Sequence, residues 1–293
     1  MRAPRNQNTL RSACSVSGRG YWTGQANTLT FHPAEPDTGV VFVRDDLPGK
    51  PRARAIADNR VSMGLRTRLS RGAAEFDMIE HVMAALFGAQ IDNVYVHCSA
   101  SEMPGFDGSC LPVSLALDAA GQLPQPPTVQ QVVIEEILQV GDADCFVRAE
   151  PAVTDSLEVE YRLNYGTDSV IGVKTFEKAL SAESFLEDIA PARTFVTEQE
   201  AAWLQSQGLG KHVTNRDLLV FGENGPIDNQ LRFDDECARH KALDVVGDLA
   251  LVGADLVGRI VASKSGHQLN GDLAALIRNT YMPELSGSGK NAA

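Results

Sequence analysis

His240-Lys241-Ala242-Leu243-Asp244-Val245-Val246-Gly247-Asp248 is the stretch around which the rest of this 293-residue chain is organised. Placed at about 100° per residue with His240 at zero, Asp244 falls near about 40°, Asp248 near about 80° and Lys241 near about 100°. Ala242, Leu243, Val245, Val246, Leu249, Ala250 and Val252 fill the arc from about 120° to about 300°. The spacing predicts a helix over residues 234–253, opened by the acids Asp234, Asp235 and Glu236, which a helix N-terminus favours. One face of that helix is core. The other gathers a histidine, two carboxylates and a lysine. A histidine and a carboxylate one turn apart can converge on one metal ion. Polar residues opposite an apolar stripe are also what a solvated face looks like, so the helix needs partners elsewhere to become a site.

Composition narrows the class. Apolar residues make up 43% and charged residues 22%, which is a globular balance. The length suits one large or two ordinary domains. A formal net charge of −12 argues against a general nucleic-acid binder, which needs a basic surface. Five cysteines without a Cys-x-x-Cys pair speak against a disulfide framework or a cysteine-rich zinc site, and for a reducing, cytoplasmic setting. The N-terminus lacks the apolar core of a signal peptide, and no run approaches the roughly 18 apolar residues of a membrane span. The tail over 286–293 reads as disordered.

Strand patterns come first in each half. Ala26 to His32 and Gly39 to Val43 alternate, and Arg52 to Leu69 continues in the same vein. Glu75 to Gly88 reads as a helix with Asp77 as its N-cap and Gly88 as its stop. Ile91 to Cys98 is a strand, 102–109 a loop, and Leu111 to Gly121 a second helix. Leu123-Pro124-Gln125-Pro126-Pro127 reads as a linker. Beyond it, Val129 to Leu138, Cys145 to Ala149 and Leu157 to Leu163 read as strands, followed by helices over 181–189 and 197–208. Leu218 to Phe221 and Val257 to Ser263 are further strands, and Asn270 to Arg278 is a last helix. Strands before helices in both halves argue for an α+β fold, with a possible twofold similarity split at the prolines.

Candidate partners for the central helix are few. Glu80-His81 offers a carboxylate beside a histidine, the pairing of a general base with a metal ligand. With Asp77 as N-cap, Glu80 is equally the third-position acid of a capping box. His267, in Lys264-Ser265-Gly266-His267, is either an exposed acid/base group or an ordinary loop histidine. Thr194, in Arg193-Thr194-Phe195, can donate to an oxyanion or cap the helix that starts near Thr197.

Taken in order, these pieces resemble a known family. Glu80-His81-Val82-Met83-Ala84-Ala85-Leu86, Ile91-Asp92-Asn93, Asp107-Gly108-Ser109, Ala192-Arg193-Thr194-Phe195, Arg239 to Asp244 with Gly247-Asp248, and Lys264-Ser265-Gly266-His267 are similar to the motifs of the UDP-3-O-acyl-N-acetylglucosamine deacetylases, zinc amidases of lipid A biosynthesis. The likeness runs from about residue 10 to about residue 280. The resemblance implies that His81, His240 and Asp244 bind one zinc ion, and that Glu80 takes a proton from the attacking water. It implies that Thr194 stabilises the oxyanion with the metal. It also implies that protonated His267, held by Asp248, donates to the leaving amine. Lys241 and Phe195 would contact the substrate, an acylated UDP-amino sugar. The implied fold has two similar α+β domains, each a mainly antiparallel sheet with helices, the helices sandwiched between the two sheets. Their expected extents are 1–124 and 125–293, with an acyl-chain insert at about 196–221 in the second. A cytoplasmic enzyme with peripheral access to a membrane follows. Two departures bear on substrate choice, the first near the site and the second in the acyl-chain insert. The family's Gly-Leu-His-Ser-Gly is here Gly20-Tyr21-Trp22-Thr23-Gly24, and its Gly-Gly-Ser-Leu-Asp-Asn region reads Lys211 to Asp217. Candidate acyl-lining residues are Val196, Trp203, Leu204, Leu209 and Val213, although Trp203 and Leu204 also suit the core face of an amphipathic helix.

Overall fold

The computed structural model describes residues 4–283; the tail read as disordered lies outside them. Alternation builds the first sheet. In Ala26–Pro33, Leu29 and Phe31 are fully buried while Thr28 is exposed between Asn27 and Leu29. This strand is antiparallel to Cys14–Arg19 on one side and to Val94–Cys98 on the other. Val94–Cys98 runs parallel to Val40–Arg44, which pairs antiparallel with Arg52–Arg54.

The second sheet repeats this plan. Its neighbours are, in order, Leu138–Gly141, Phe146–Glu150, Asp255–Ser263, Leu157–Asn164 and Val173–Ala179. Asp255–Ser263 is antiparallel to Phe146–Glu150 and parallel to Leu157–Asn164. In both sheets the strand latest in sequence is inserted between the second and the third. The short strand Gln131–Val133 adds a parallel partner to the start of Asp255–Ser263.

Among the described residues, six helices lie between the sheets or beside the site: α1 (Glu80–Gly88), α2 (Leu111–Ala120), α3 (Ala182–Ser184, continuing as a π-helical turn over Phe185–Ile189), α4 (Glu198–Ser206), α5 (Glu236–Leu249) and α6 (His267–Tyr281). α2 packs on Cys14–Arg19 and on α1, α1 packs on α5, and α5 packs on α6 and Leu157–Asn164. α6 covers the strands Leu138–Gly141 and Phe146–Glu150. One core runs from Phe31 and Phe42 through Val82 and Val246 to Val159 and Ile260. The fold is α+β, with helices between two sheets of the same strand order. No helix among the described residues is long and apolar enough to cross a membrane.

Several sequence readings are corrected. The helix expected from Glu75 begins only at Glu80; Ala74–Asp77 is a strand, and Met78 turns the chain at φ 59°. Asp77 is therefore no cap. It is held by Arg68 at 2.7 Å and Arg66 at 3.2 Å, so Glu80 has no capping box. Four alternating residues directly before a helical run carry too short a period to stand out. Arg52 to Leu69 is not continuous strand either. It divides into Arg52–Arg54, a 3-10 turn at Ala57–Asn59, Arg60–Val61, and the start of Arg68–Arg71.

Leu123 to Pro127 is no free linker. Gln122–Thr128 pairs antiparallel with Asn6–Leu10, and a two-stranded ribbon has open edges on which a missing proline N–H costs nothing. The central helix begins at Glu236, not Asp234, and ends with a 3-10 turn and Gly253 at φ 76°. His267 heads α6, which starts three residues earlier than Asn270.

The crossing of α1 and α5 sets the distance between the halves. A β-carbon on residue 247 would lie 2.1 Å from the Glu80 carbonyl oxygen, which is backbone and cannot step aside alone. Gly247→Ala is expected to force the helices apart and destabilise the protein by about 1–3 kcal/mol, the range for overpacked interiors. A urea midpoint equal to that of the unsubstituted protein would show the crossing to be slack.

Candidate active site

α5 is amphipathic by sequence, yet none of its residues is exposed. His240, Asp244 and Asp248 are only 4%, 2% and 0% exposed. The polar face is thus not a solvated face. It is covered by α1, whose first two residues, Glu80 and His81, are carried to it by the close crossing at Gly247.

His81 Nε2 and His240 Nε2 each lie 3.6 Å from Asp244 Oδ1. The three donor atoms all fall within 4.8 Å of one another. Asp244 Oδ1 is buried and accepts no hydrogen bond, a costly state for a carboxylate oxygen unless a cation occupies its lone pairs. His240 Nδ1 sits 3.3 Å from the Ala192 carbonyl, which fixes that nitrogen as the donor and leaves Nε2 as a lone pair facing Asp244. Burial, only partly countered by Asp244, pulls the His240 pKa down to about 3, so the ring is neutral at ordinary pH. Two imidazoles and a carboxylate fit a divalent cation and leave coordination positions open.

Two titratable groups stand beside this cluster. Glu80 is buried, and burial is the main reason its pKa is raised. Its Oε2 accepts from the Thr67 amide at 3.0 Å. His267 Nε2 lies 4.0 Å from Glu80 Oε1 and 3.9 Å from Asp244 Oδ2. Burial at the N-terminus of α6 works against a charged imidazole, but Asp248, Asp244 and Glu80 outweigh it and raise the His267 pKa to about 9. His267 Nδ1 donates to Asp248 Oδ2 at 3.0 Å, which leaves Nε2–H directed toward the cluster.

Asp248 is itself held on both oxygens. Thr67 Oγ1 donates to Oδ1 at 2.5 Å, and Asn270 Nδ2 to Oδ2 at 3.0 Å. Ser265 Oγ donates to Asn270 Oδ1 at 2.8 Å, and the Tyr161 hydroxyl donates to the Ser265 carbonyl at 2.6 Å. Sequence reasoning missed Thr67, Asn270, Ser265 and Tyr161. Nothing in their spacing marks them, because each acts through contacts that only the fold creates.

The remaining candidates line the same cavity, of about 890 Å³. Lys241 Nζ donates to Asp244 Oδ2 at 2.7 Å; burial opposes its charge, but Asp244 prevails and raises its pKa. Phe195 lies edge-on to His240, Tyr165 and Phe221. Thr194 donates through both its amide and its hydroxyl to the Gly108 carbonyl, so the hydroxyl would have to turn to meet an oxyanion. It does not cap α4; that role belongs to Thr197, in a capping box with Glu200. All five cysteines are free and none lies in the cluster.

Comparison with known proteins gives the family. A family model described as UDP-3-O-acyl N-acetylglycosamine deacetylase matches residues 7–279. The chain belongs to this family. It is 38% identical over 280 residues to the UDP-3-O-acyl-N-acetylglucosamine deacetylase of Chlamydia caviae, covering 95% of this chain and 99% of that one. Proteins of the same name from Citrifermentans bemidjiense and Anaeromyxobacter dehalogenans are 39% and 37% identical, over 90% of this chain and 86% and 85% of theirs.

Within the family fold, the two segments that depart from its motifs face each other. His212 Nε2 lies 2.7 Å from the Gly20 carbonyl, and the Tyr21 hydroxyl donates to the Asp217 carbonyl beside that of Gly105. They join the insert to the first half of the chain at one side of the cavity. The segment expected to be an insert, about 196–221, spans the parallel pair Phe195–Thr197 and Leu219–Gly222, bridged by α4. Val196, Leu204, Leu209 and Val213 line the cavity with Trp203, which is 58% exposed and so no core residue.

A cation in this cluster would satisfy Asp244 Oδ1. Adding zinc to metal-stripped protein at a hundred times its Kd is expected to stabilise it by about 2.7 kcal/mol. Asp244→Ala is expected to fold and lose that response. A full thermal shift in the variant would remove Asp244 from the ligand set.

Proposed function

We propose that this chain is a zinc-dependent amide hydrolase that removes the N-acetyl group of UDP-3-O-acyl-N-acetylglucosamine in lipid A biosynthesis. The observation that carries the reading is the bare, buried Asp244 Oδ1 between two imidazole nitrogens, with Glu80 and His267 beside it. His81, His240 and Asp244 would hold the metal. When bound, zinc supplies Lewis acidity, polarising the acetamide carbonyl and easing loss of a proton from water. The names of the relatives support the substrate. A division of the chain near residue 124 is part of the same proposal, supported by the repeated strand order. So are a cytoplasmic location and peripheral approach to a membrane to collect a lipid-bearing substrate.

The protein groups divide the proton work. Glu80 Oε1, facing the cluster, takes a proton from the attacking water. Its other oxygen is occupied by the Thr67 amide, so only one is available. His267 enters the reaction protonated and delivers the Nε2 proton to the leaving amine, while Asp248 holds the opposite nitrogen. Acetate and the free amine are the products. Thr194 exchanges its bond to Gly108 for the developing oxyanion, Lys241 meets the polar groups of the substrate, and Phe195 packs on the sugar ring.

The pH profile follows from these roles. Activity rises as Glu80 loses its proton, above the ordinary carboxylate range because burial raises it. It falls as pH passes the His267 value of about 9. Asp248→Asn removes the charge that raises His267, so the alkaline limb is expected to move about one to three units lower in pH. An unmoved alkaline limb would break the pairing of His267 with Asp248.

The acyl end tests the substrate. An apolar chain along Val196, Leu204 and Val213 gains about 0.8 kcal/mol per buried methylene. Deacetylation measured on the nucleotide sugar with and without its acyl chain should show kcat/KM lower by several orders of magnitude without it. Val213→Asp should impair the acylated substrate selectively. Equal efficiency on both sugars would remove the lipid A assignment and leave an amide hydrolase of another amino sugar.

A further inference from the structure

We infer that Thr67 is a positioning residue that ties the base Glu80 to Asp248, the partner of the acid, across the α1–α5 junction. Thr67 directly precedes Arg68–Arg71 and is only 2% exposed. Its amide donates to Glu80 Oε2 at 3.0 Å and its hydroxyl to Asp248 Oδ1 at 2.5 Å. Its carbonyl accepts from the Ile79 amide at 3.3 Å. Every polar group it has is thus spent on the two helices that form the site or on Ile79, which leads into the first of them.

The choice of oxygens is what gives the contacts meaning. On Glu80 the oxygen left free, Oε1, is the one 4.0 Å from His267. On Asp248 the other oxygen, Oδ2, holds the imidazole and Asn270. Thr67 therefore occupies the rear oxygen of each carboxylate and leaves the front one to the reaction. A carboxylate pinned at one oxygen cannot spin about its bond, so the direction of the other is set. The anchor is stiff, because Arg68 is locked to Asp77 through Nε and Nη2, both at 2.7 Å, and Arg68–Arg71 is paired with Ala74–Asp77.

Side-chain substitution separates the two bonds. Thr67→Val keeps the size and the amide, hence the Glu80 contact, and removes only the donor to Asp248. The activity arm rests on the deacetylase reading. Thr67→Val is expected to lower kcat by about 10- to 100-fold with KM and metal content near those of the unsubstituted protein, the usual effect of losing a partner behind a functional group. Thr67→Ser, which restores the hydroxyl, is expected to recover kcat to within a few-fold. In an Asp248→Asn background the Val substitution should cost little more.

A second readout needs no turnover. The proton NMR signal of His267 Nδ1–H, assigned by its loss in His267→Ala, should move downfield in Thr67→Val, because Asp248 short of one donor accepts more strongly from the imidazole. It should return in Thr67→Ser. If Thr67→Val does not yield folded protein, Thr67→Ala is expected to give the same pattern. An undiminished kcat, a loss that Ser does not recover, full additivity with Asp248→Asn, or an unshifted proton signal would each overturn the inference. Failure of the unsubstituted protein to deacetylate would count against the proposed reaction alone, and the proton signal would then decide the role of Thr67.

Discussion

The approach of α1 to α5 is the constraint on which the rest depends. The Glu80 carbonyl occupies space that any side chain at 247 would take. That contact places the first turn of one helix against the last turn of another. Glu80 and His81 from the first, and His240, Asp244 and Asp248 from the second, then share one small volume. Neither helix holds a complete site alone. The three grouped donor atoms come from residues about 160 positions apart in the chain, and the crossing of α1 and α5 is where they meet.

Burying so much charge needs an internal balance. Three carboxylates, on Glu80, Asp244 and Asp248, face two cationic side chains, Lys241 and His267. Each carboxylate except Asp244 has both oxygens engaged by donors or facing His267. The deficit of positive charge and the one bare oxygen coincide at Asp244 Oδ1. A buried charge left unpaired is expensive, so the protein without its cation sits above its best state in free energy. The same balance keeps His240 neutral and His267 charged, though both are buried imidazoles beside one another. The difference lies in their neighbours. His267 has Asp248 at 3.0 Å, and His240 has a carbonyl.

Much of this was legible in the sequence wherever one element carried its own pattern. The period of Ala242 to Val252 gave α5, and His-x-x-x-Asp on its other side gave two members of the buried donor cluster. The structure brings His81, His240, Asp244, Glu80, Asp248 and His267 together as expected. Reading failed where neighbours decide the outcome. Asp77 has the chemistry of a cap, but two arginines across a hairpin claim it. The prolines at 124, 126 and 127 look like a linker, but the strand Asn6–Leu10 pairs with them. Thr67 sits among arginines with no distinctive spacing, and only the folded loop gives it two carboxylates. The α5 polar face taken alone read more readily as solvated, since a helix does not reveal what covers it.

The inserted central strands carry a consequence for biosynthesis. In the second sheet, Asp255–Ser263 fills the gap between Phe146–Glu150 and Leu157–Asn164, although it leaves the ribosome about a hundred residues after them. At about 5–20 residues per second the gap stays open for roughly 5–20 seconds of translation. For that time two strands with buried apolar faces present unpaired N–H and C=O groups, the template on which chains aggregate. A nascent chain that stalls before residue 255 keeps both edges permanently, so late stalling is more harmful here than stalling after the first sheet has closed at Val94–Cys98.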